Sequence, residues 1–348
     1  MANVTNAIVK GARKALTVAL CAAIAAPSLA NNLVAGPVVG TTDFAMFGIS
    51  GLRGTGVGTI TVSGVTGTVT RAILVWHGVT NTTTPLARTG TIGSTNFTGT
   101  IIGQSDNNCW GRTESQAYQA DVTAAITGNG TYNLSAMSNA PQFEPNGASL
   151  LVFFNDGNSS NNRDVAVFWG NDSNQTNAYD SAGWSASLSG INYTSGTANT
   201  TLIVSDGQTP GSSSTLTVNT GSVTLPNFAG TSLPLAPGSA VTNGGLWDHH
   251  TFDVTSFLSP GPNTLAMSAA SPDSGDCVSL IGAVFDLPAG TVTPPVATAP
   301  TQVPTLSAIG LSGTSLSAAL WGIYAMRNRR RQGTTLLAAD RAERKDEA

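Results

Sequence analysis

The sequence predicts an all-β protein: two antiparallel β-sandwich units in tandem, then a proline-rich linker and a single C-terminal transmembrane helix. Three observations lead to this prediction. The 348 residues include 39 glycines and only 10% charged residues, a composition typical of short strands joined by many turns. Stretches of alternating apolar and polar residues recur, and one group of them repeats further along the chain. A charge-free segment at 306–326 is long enough for a helix that spans a membrane.

The first thirty residues have the three parts of an export signal. A basic start is followed by apolar residues 15–26 and by the small-residue cleavage site Ser28-Leu29-Ala30. The apolar run is too short for a permanent membrane span. We therefore expect residues 1–30 to be a signal peptide that is removed, so that the mature chain begins at Asn31.

The middle of the chain repeats one β unit. Residues 118–138 and 251–269 both contain an aromatic residue, Asp-Val-Thr, a branched apolar residue, a turn with glycine and a strand. Similar strands precede and follow both copies, which predicts a first unit at 31–175 and a second unit at 176–290. Within the first unit, residues 149–170 predict a hairpin whose loop is rich in Asn, Ser and Gly.

The aspartates of the repeated motif, Asp121 and Asp253, have two interpretations. A carboxylate just before a helical turn can accept hydrogen bonds from free backbone N–H groups, or it can serve catalysis. Because both copies place Asp in the same context, we predict structural caps. Residues 251–267 also resemble the strand-turn-strand signature of galactose-binding-like jelly-roll domains, and this resemblance implies that the sandwich units are jelly-roll-like.

Two cysteines remain once the signal peptide is removed, Cys109 and Cys277. An even pair in an exported domain is more often a disulfide than a metal site or a nucleophile. We therefore predict a Cys109–Cys277 bond, with two separate buried thiols as the alternative.

The charges of the mature domain exclude one class of partner. Residues 31–304 contain five arginines, no lysine and fifteen Asp and Glu, so that 5 − 15 gives −10. Such a surface repels the phosphates of nucleic acids. We therefore expect no nucleic-acid partner.

Two groups of side chains are candidate ligand sites, and each also has a purely structural interpretation. Acidic loops near the cysteines could bind Ca²⁺ or sugar hydroxyls, or they could be solvated turns. Tryptophans could stack on a sugar face, or they could fill the interior. No other cofactor is expected. The weak Ca²⁺ candidates are Asp106, Asp273 and Asp276, and the candidate stacking residues are Trp110, Trp184 and Trp247.

The residues that could support catalysis are few. The chain lacks the His-Glu-x-x-His, Gly-x-Ser-x-Gly and Cys-x-x-Cys motifs. Glu114 and Glu144 could act as an acid/base pair in sugar hydrolysis if they lie close together. His77 follows a predicted core strand, where an ordinary half-buried histidine is expected. We predict that the protein is not an enzyme, with no catalytic residue assigned.

The C-terminal region predicts membrane insertion. Residues 291–304 form the proline-rich linker, 305–331 the helix with an arginine cluster, and 332–348 a charged tail. Arginines after an apolar helix stay on the cytoplasmic side of the membrane. The cluster consists of Arg327, Arg329, Arg330 and Arg331.

The segment before the helix carries a second resemblance. The order Val303-Pro304-Thr305-Leu306, a helix and an arginine cluster resembles the IPTL-CTERM sorting signal of exported proteins of Gram-negative bacteria. The resemblance implies that a membrane-embedded sorting peptidase processes the chain and passes the β units toward the cell surface. A plain single-pass anchor is the alternative.

These features predict an exported protein that is membrane-anchored in transit and located at the cell surface or outside the cell when mature. Its expected role is non-catalytic, either structural or adhesive, with a surface glycan or protein as a candidate partner. A lectin-like carbohydrate-binding module is the second hypothesis, and a secreted glycan-acting hydrolase is the third.

Overall fold

The computed structural model describes residues 33–137, 143–179 and 181–292, and within them the chain forms sixteen β-strands and two short 3-10 helices. The prediction of an all-β, sandwich-like fold is confirmed. The predicted signal peptide, most of the proline-rich linker, the sorting segment and the charged tail lie outside these residues. Among the described residues, no helix is long and apolar enough to cross a membrane.

Most strands are joined by short turns, many of them at glycine, as the composition indicates. In chain order the strands are β1 (Val34–Ser50), β2 (Gly58–Val62), β3 (Thr68–Thr80), β4 (Arg88–Ile92), β5 (Thr95–Ser105), β6 (Glu114–Asp121), β7 (Gly130–Ser135), β8 (Phe143–Asn155), β9 (Arg163–Ser173), β10 (Trp184–Tyr193), β11 (Asn199–Ser205), β12 (Ser214–Val218), β13 (Gly221–Leu225), β14 (Trp247–Asp253), β15 (Gly261–Ala269) and β16 (Ser279–Pro288). The connection from β13 to β14 is longer.

The described strands form two sheets. One has twelve strands in the order β14-β11-β16-β9-β1-β8-β3-β6-β5-β4-β7-β2, and the other has four in the order β10-β15-β12-β13. The paired strands are antiparallel throughout. The large sheet joins strands from the beginning and the end of the described chain, since it contains both β1 and β16.

The two halves of the domain repeat the same strand order. Outward from the β1–β9 pair, the first half runs β1-β8-β3-β6 and the second runs β9-β16-β11-β14. The remaining strands run β2-β7-β4-β5 in the first half and β10-β15-β12-β13 in the second. By this correspondence β9 is grouped with the second half, in which it pairs with β16.

The predicted hairpin at 149–170 is wrong, because β1 lies between β8 and β9. Residues Asp43–Ser50 of β1 pair with β8, while its earlier residues pair with β9. The chain passes from one partner to the other near Thr41, whose φ of 54° is left-handed. The Thr41 backbone N–H donates to the Asp164 side chain over 2.9 Å, which compensates for the interrupted ladder.

Both faces of the central strands are buried, so neighbouring residues serve different cores. In β8, Leu150 and Val152 face the first-half core, while Leu151 and Phe153 face a middle core between the halves. In β9, Phe168 faces the second-half core. The alternation follows from the two-residue period of a strand, and it makes the middle core a structure that both halves build.

Asp121 and Asp253 stand at equivalent positions of the two halves. Each carboxylate accepts a hydrogen bond from the backbone N–H two residues later, over 3.0 Å at Thr123 and 2.7 Å at Thr255. Those residues begin the two 3-10 helices, Thr123–Ala125 and Thr255–Phe257. The hydrogen bonds from Thr123 and Thr255 lower the pKa of both carboxyl groups. Each aspartate therefore stabilises the 3-10 helix that follows it in the chain.

Replacing Gly147 by alanine should destabilise the domain. An added Cβ would meet the Trp247 side chain and lie 2.6 Å from the Ile49 carbonyl oxygen, so the middle core would have to shift. We expect urea denaturation to show a loss of about 1–3 kcal/mol in the free energy of unfolding. Gly275→Ala is the matched control, because its Cβ would have no neighbour closer than 3.4 Å. Equal effects of the two substitutions would contradict this packing.

Candidate functional site

Buried polar side chains gather at one end of the middle core. There β3 and β11 end, while β8 and β16 begin, because antiparallel neighbours run in opposite directions. The apolar core gives way at this end to fully buried polar residues from both halves. This polar end consists of Arg53, His77, Asn108, Asn146, Ser205, Asp206 and Ser279.

Asp206 is the centre of the polar end. Its Oδ1 accepts hydrogen bonds from the Asn146 amide over 2.6 Å and from Trp110 Nε1 over 3.0 Å. Its Oδ2 accepts from the Asn108 amide over 2.6 Å. Burial raises the pKa of Asp206, while Arg53 and these donors oppose the rise. Every described side-chain partner donates to the carboxylate, an arrangement that favours its ionised form.

Arg53 supplies the positive charge that balances Asp206. Its Nη2 donates to Asp206 over 3.0 Å and also to the Asn146 side-chain oxygen. The guanidinium lies 3.7 Å from the centre of the Trp110 ring, a cation–π contact. Burial lowers the pKa of Arg53, and Asp206 opposes that effect. Among the described residues, the Arg53 Nε and Nη1 atoms have no hydrogen-bond acceptor.

His77 is fully buried, not half-buried as the sequence predicted, because the second half covers it. Its Nδ1 lies 2.6 Å from Ser205 Oγ and 3.2 Å from the Asn146 amide nitrogen. The amide can only donate, so Nδ1 accepts and the ring is neutral. Burial and Arg53 lower the pKa of His77 to about 3. The His77–Ser205 pair has the geometry of a base and a nucleophile, but both side chains have 0% exposure.

The predicted disulfide is confirmed. Cys109 and Cys277 are bonded, with Cα atoms 6.0 Å apart and 168 residues between them in sequence. The bond ties the loop that carries Asn108 and Trp110 to the start of β16. Asn108 and Cys109 both have left-handed φ angles, 48° and 66°, which non-glycine residues adopt at a cost. The crosslink therefore holds the loop that delivers two donors to Asp206.

A pocket of about 360 Å³ opens beside the polar end. Arg53 and Trp110 form part of its wall, and Phe143 and Val241 add apolar surface. At its edge Arg112 forms an ion pair with Glu144, and the two side chains are 34% and 31% exposed. The pocket thus combines two guanidinium groups, one carboxylate, an indole ring and apolar surface.

The three tryptophans do not share one exposed face, and the interior interpretation applies to Trp184 and Trp247. Trp184 is 2% exposed and packs against Phe228 in the second-half core. Trp247 is 0% exposed, and its Nε1 donates to Ser149 Oγ over 2.9 Å. Trp184 begins β10, in which buried and exposed residues alternate and the buried ones are apolar, whereas Trp247 begins β14 and belongs to the middle core. Only Trp110 is half-buried and borders the pocket.

Glu114 and Glu144 point to opposite faces of the large sheet. Glu114 is opposite Thr80 of β3, whereas Glu144 is opposite Val79, and neighbouring residues of a strand alternate faces. Glu114 accepts from Gln104 and Gln116 over 2.7 and 2.6 Å and also from the Tyr179 hydroxyl. The two carboxylates therefore do not form an acid/base pair.

The acidic loop residues accept hydrogen bonds from backbone N–H groups. Asp106 accepts from Asn108 over 3.1 Å, Asp273 from Phe228 over 3.0 Å, and Asp276 from Gln208 over 2.8 Å. Burial raises the pKa of Asp276 to about 6. Within residues 33–137, 143–179 and 181–292, no group of three or more His, Cys, Asp or Glu side chains is placed to hold a metal ion.

The sequence analysis missed Arg53, Asn146 and Asp206. One signal was present: the strand ends at 71–78 and 200–207 match, which aligns His77 with Asp206 as polar residues before a glycine. Polar residues repeated at the end of an apolar strand indicate a shared buried cluster. Arg53 had no comparable signal beyond the scarcity of basic residues in the domain.

A family model described as "Protein of unknown function (DUF3344)" matches residues 73–287, which is more than half of the chain and reaches from β3 to β16. The match includes His77, Asn146, Ser205 and Asp206, but Arg53 lies upstream of it. Neither the curated proteins nor the solved structures contain a match to this chain.

The buried neutral His77 should make the domain less stable in acid. The unfolded chain takes up a proton near pH 6.5, whereas folded His77 takes it up only near pH 3. Stability that is present above pH 6.5 is therefore lost as the pH falls toward 3, by about 1.4 kcal/mol per pH unit from this group.

Urea denaturation of wild type and His77→Gln at pH 7, 6, 5 and 4 measures this contribution. Other groups also titrate, so the informative quantity is the free energy of unfolding of wild type minus that of His77→Gln at each pH. This difference should shrink or reverse as the pH falls. His250→Gln is the control, since His250 is only half-buried. The difference in unfolding free energy between wild type and His250→Gln should change less with pH. A wild-type to His77→Gln difference that is constant with pH would contradict a buried neutral His77.

Proposed function

The chain belongs to the DUF3344 family, and we propose that this member is an exported, non-catalytic surface protein with a structural or adhesive role. In this proposal two jelly-roll-like units form the exported part, and the C-terminal segment anchors it or sorts it to the surface. A membrane peptidase and a surface glycan or protein are its proposed partners.

The disulfide is the observation that carries the proposal. Disulfides persist in oxidising compartments outside the cytoplasm. The bond joins Cys109 and Cys277 across 168 residues of sequence, and it lies where the buried charges meet. In the chain-entropy model, closing such a loop contributes about 5 kcal/mol. A domain that uses a crosslink in this way fits the export that the N-terminal sequence predicts.

The strand order supports two jelly-roll-like units. Numbered within its half, each set of eight strands runs 1-8-3-6 in one layer and 2-7-4-5 in the other. Two four-stranded layers with these connections are the arrangement of a double-sheet jelly roll. Folds of this kind are common binding and structural modules, so the fold alone selects no ligand.

A non-catalytic role agrees with the use of the polar groups. The buried His77–Ser205 pair faces no solvent, and the two candidate glutamates lie on opposite faces of the sheet. The polar side chains of the middle core bond mainly to each other across the halves. They therefore stabilise the assembly of the two halves, which suits a rigid surface protein.

The last described residues support a role for the C-terminal segment as a tether. After β16, Asn192 donates its backbone N–H to the Thr291 carbonyl over 2.7 Å, and Val292 donates its N–H to Asp164 over 2.9 Å. The chain is thus fixed to the domain through the first two residues of the predicted proline-rich linker. Because these hydrogen bonds hold the chain after β16, a pulling force on the C-terminal segment would act on them before it separates β16 from the sheet.

The pocket beside Arg53 and Trp110 favours carbohydrate binding as the second candidate function. An aromatic ring beside charged donors and acceptors is a common arrangement for sugars. This candidate is compatible with the first, because an adhesive surface protein needs a ligand.

Cell fractionation with two antibodies tests the surface role and the sorting signal. One antibody recognises the β domain and the other recognises residues 333–348. We expect surface material to carry the first epitope and to lack the second. Pro304→Ala with Thr305→Ala should leave insertion intact, since hydrophobicity hardly changes, and should trap the full-length form in the inner membrane.

A second variant, for comparison with the Pro304 and Thr305 substitutions, replaces the four arginines at 327 and 329–331 with serine. It removes the charges that should stop the helix from being translocated across the membrane. This variant should slip through the membrane or mislocalise. Surface material that retains the tail epitope would refute sorting and leave a plain anchor. Protein found only in the cytoplasm would refute the surface role itself.

A further inference from the structure

Basic side chains are rare in the exported domain, and two of them meet at one pocket. Residues 31–304 contain five arginines and no lysine against fifteen acidic residues. Arg53 and Arg112 both line the pocket of about 360 Å³. Two guanidinium groups in one concave place offer the N–H donors with which proteins bind anionic groups.

Arg53 has hydrogen-bond donors that the described protein does not use. It is 3% exposed, and its Nη2 is occupied by Asp206 and the Asn146 side chain. The Nε and Nη1 atoms are buried without an acceptor among the described residues. Leaving buried N–H groups of a charged side chain unpaired is costly, and because Arg53 lines the pocket, a ligand oxygen that reached these atoms would remove that cost.

The charge balance selects a monoanion. Arg53 is balanced by Asp206, and Arg112 is balanced by Glu144. A phosphate dianion would add two negative charges beside two carboxylates, whereas a single carboxylate adds one and can use the free Arg53 donors. The Arg112–Glu144 pair is about one-third exposed, and exposed pairs of this kind contribute little to stability. It can therefore rearrange around a ligand at low cost.

The remaining surface of the pocket fits a sugar ring. Glu144 can accept hydrogen bonds from hydroxyl groups, and Arg112 can donate to them. Trp110, Phe143 and Val241 provide apolar surface for the C–H face of a ring. A simple fatty carboxylate would offer no hydroxyl group to Glu144 or Arg112, and the carboxyl end of a peptide offers few hydroxyls.

We propose that this pocket binds a carboxylate-bearing sugar, a uronic acid residue of a surface or environmental polysaccharide. Its carboxylate accepts from Arg53, and its hydroxyls bond to Arg112 and Glu144. This assignment deepens the proposed adhesive role, on which it rests, by naming the class of ligand.

Calorimetric titration of the full chain, purified with its disulfide intact, tests the assignment. The probe is a trimer of galacturonic acid, and the neutral control is the matching galactose trimer. We expect the acidic trimer to bind about tenfold or more tightly than the neutral trimer. An acetylated tripeptide with a free carboxyl end, together with its amide, tests the alternative source of a carboxylate and should not bind.

Two substitutions separate the pocket from general charge effects. Arg112→Gln removes a partly exposed charge at the pocket, and we expect it to weaken binding of the acidic trimer about tenfold. Arg71→Gln removes the same charge from β3 outside the pocket lining, and binding should be unchanged. Arg53→Gln combined with Asp206→Asn removes the buried pair without leaving a lone charge, and it should abolish binding while circular dichroism reports whether the fold persists.

Equal binding of the acidic and neutral trimers, or no binding of either, would overturn the assignment. A peptide that binds as tightly as the acidic trimer would overturn the sugar class, and equal losses in Arg112→Gln and Arg71→Gln would overturn the pocket as the site. Fractionation tests the location separately. A surface protein that fails to bind refutes this inference alone, and a cytoplasmic protein that binds refutes the surface role alone.

Discussion

The pairing of β1 with β9 is the constraint on which the rest of the structure depends. It joins two equivalent sets of strands into one sheet and brings their outer faces together around the middle core. A sheet that is covered on both faces cannot place polar side chains along its centre without a large cost. Many of the buried polar residues are collected at one end, where they bond to each other across the two halves. Ser149, inside the middle core, bonds to Trp247 and His249 instead. The Arg53–Asp206 pair and the hydrogen bonds of buried His77 supply partners to the buried groups at this end, and the disulfide holds the loop that brings Asn108 and Trp110 to the same end.

The polar end makes the halves depend on each other. Asp206 belongs to the second half, whereas its donors Arg53, Asn108, Trp110 and Asn146 belong to the first. Removing one partner of a buried pair leaves an uncompensated charge, at a cost of about 3–5 kcal/mol. The same arrangement leaves part of Arg53 unsatisfied beside an open pocket. A cluster whose main role is to join the halves thus also produces the donors that a ligand could use, which connects the rigidity of the domain with the proposed adhesion.

Local sequence patterns predicted much of this fold, but they did not predict which strands pair across long stretches of sequence. The alternation of residues, the repeated Asp121 and Asp253 motif and the even cysteine count each reflect local chemistry, and the β class and the disulfide followed from them. The hairpin at 149–170 did not form because β1, over a hundred residues upstream, is the better partner for both of its strands. Trp184 and Trp247 could not be assigned to the interior by composition alone, since an aromatic residue at a strand start suits a core or a surface. Arg53 escaped notice because its partner Asp206 is 153 residues away.

Hydrogen exchange of the oxidised protein, followed by mass spectrometry in increasing urea, tests most directly whether the two halves form one cooperative body. Peptides from β3 and β8 report on the first half, and peptides from β11 and β16 report on the second. A shared middle core and a shared ion pair require both sets of amides to open with the same free energy and the same urea dependence. If the β11 and β16 amides open at clearly lower urea while β3 and β8 remain protected, the halves are independent and the account is contradicted.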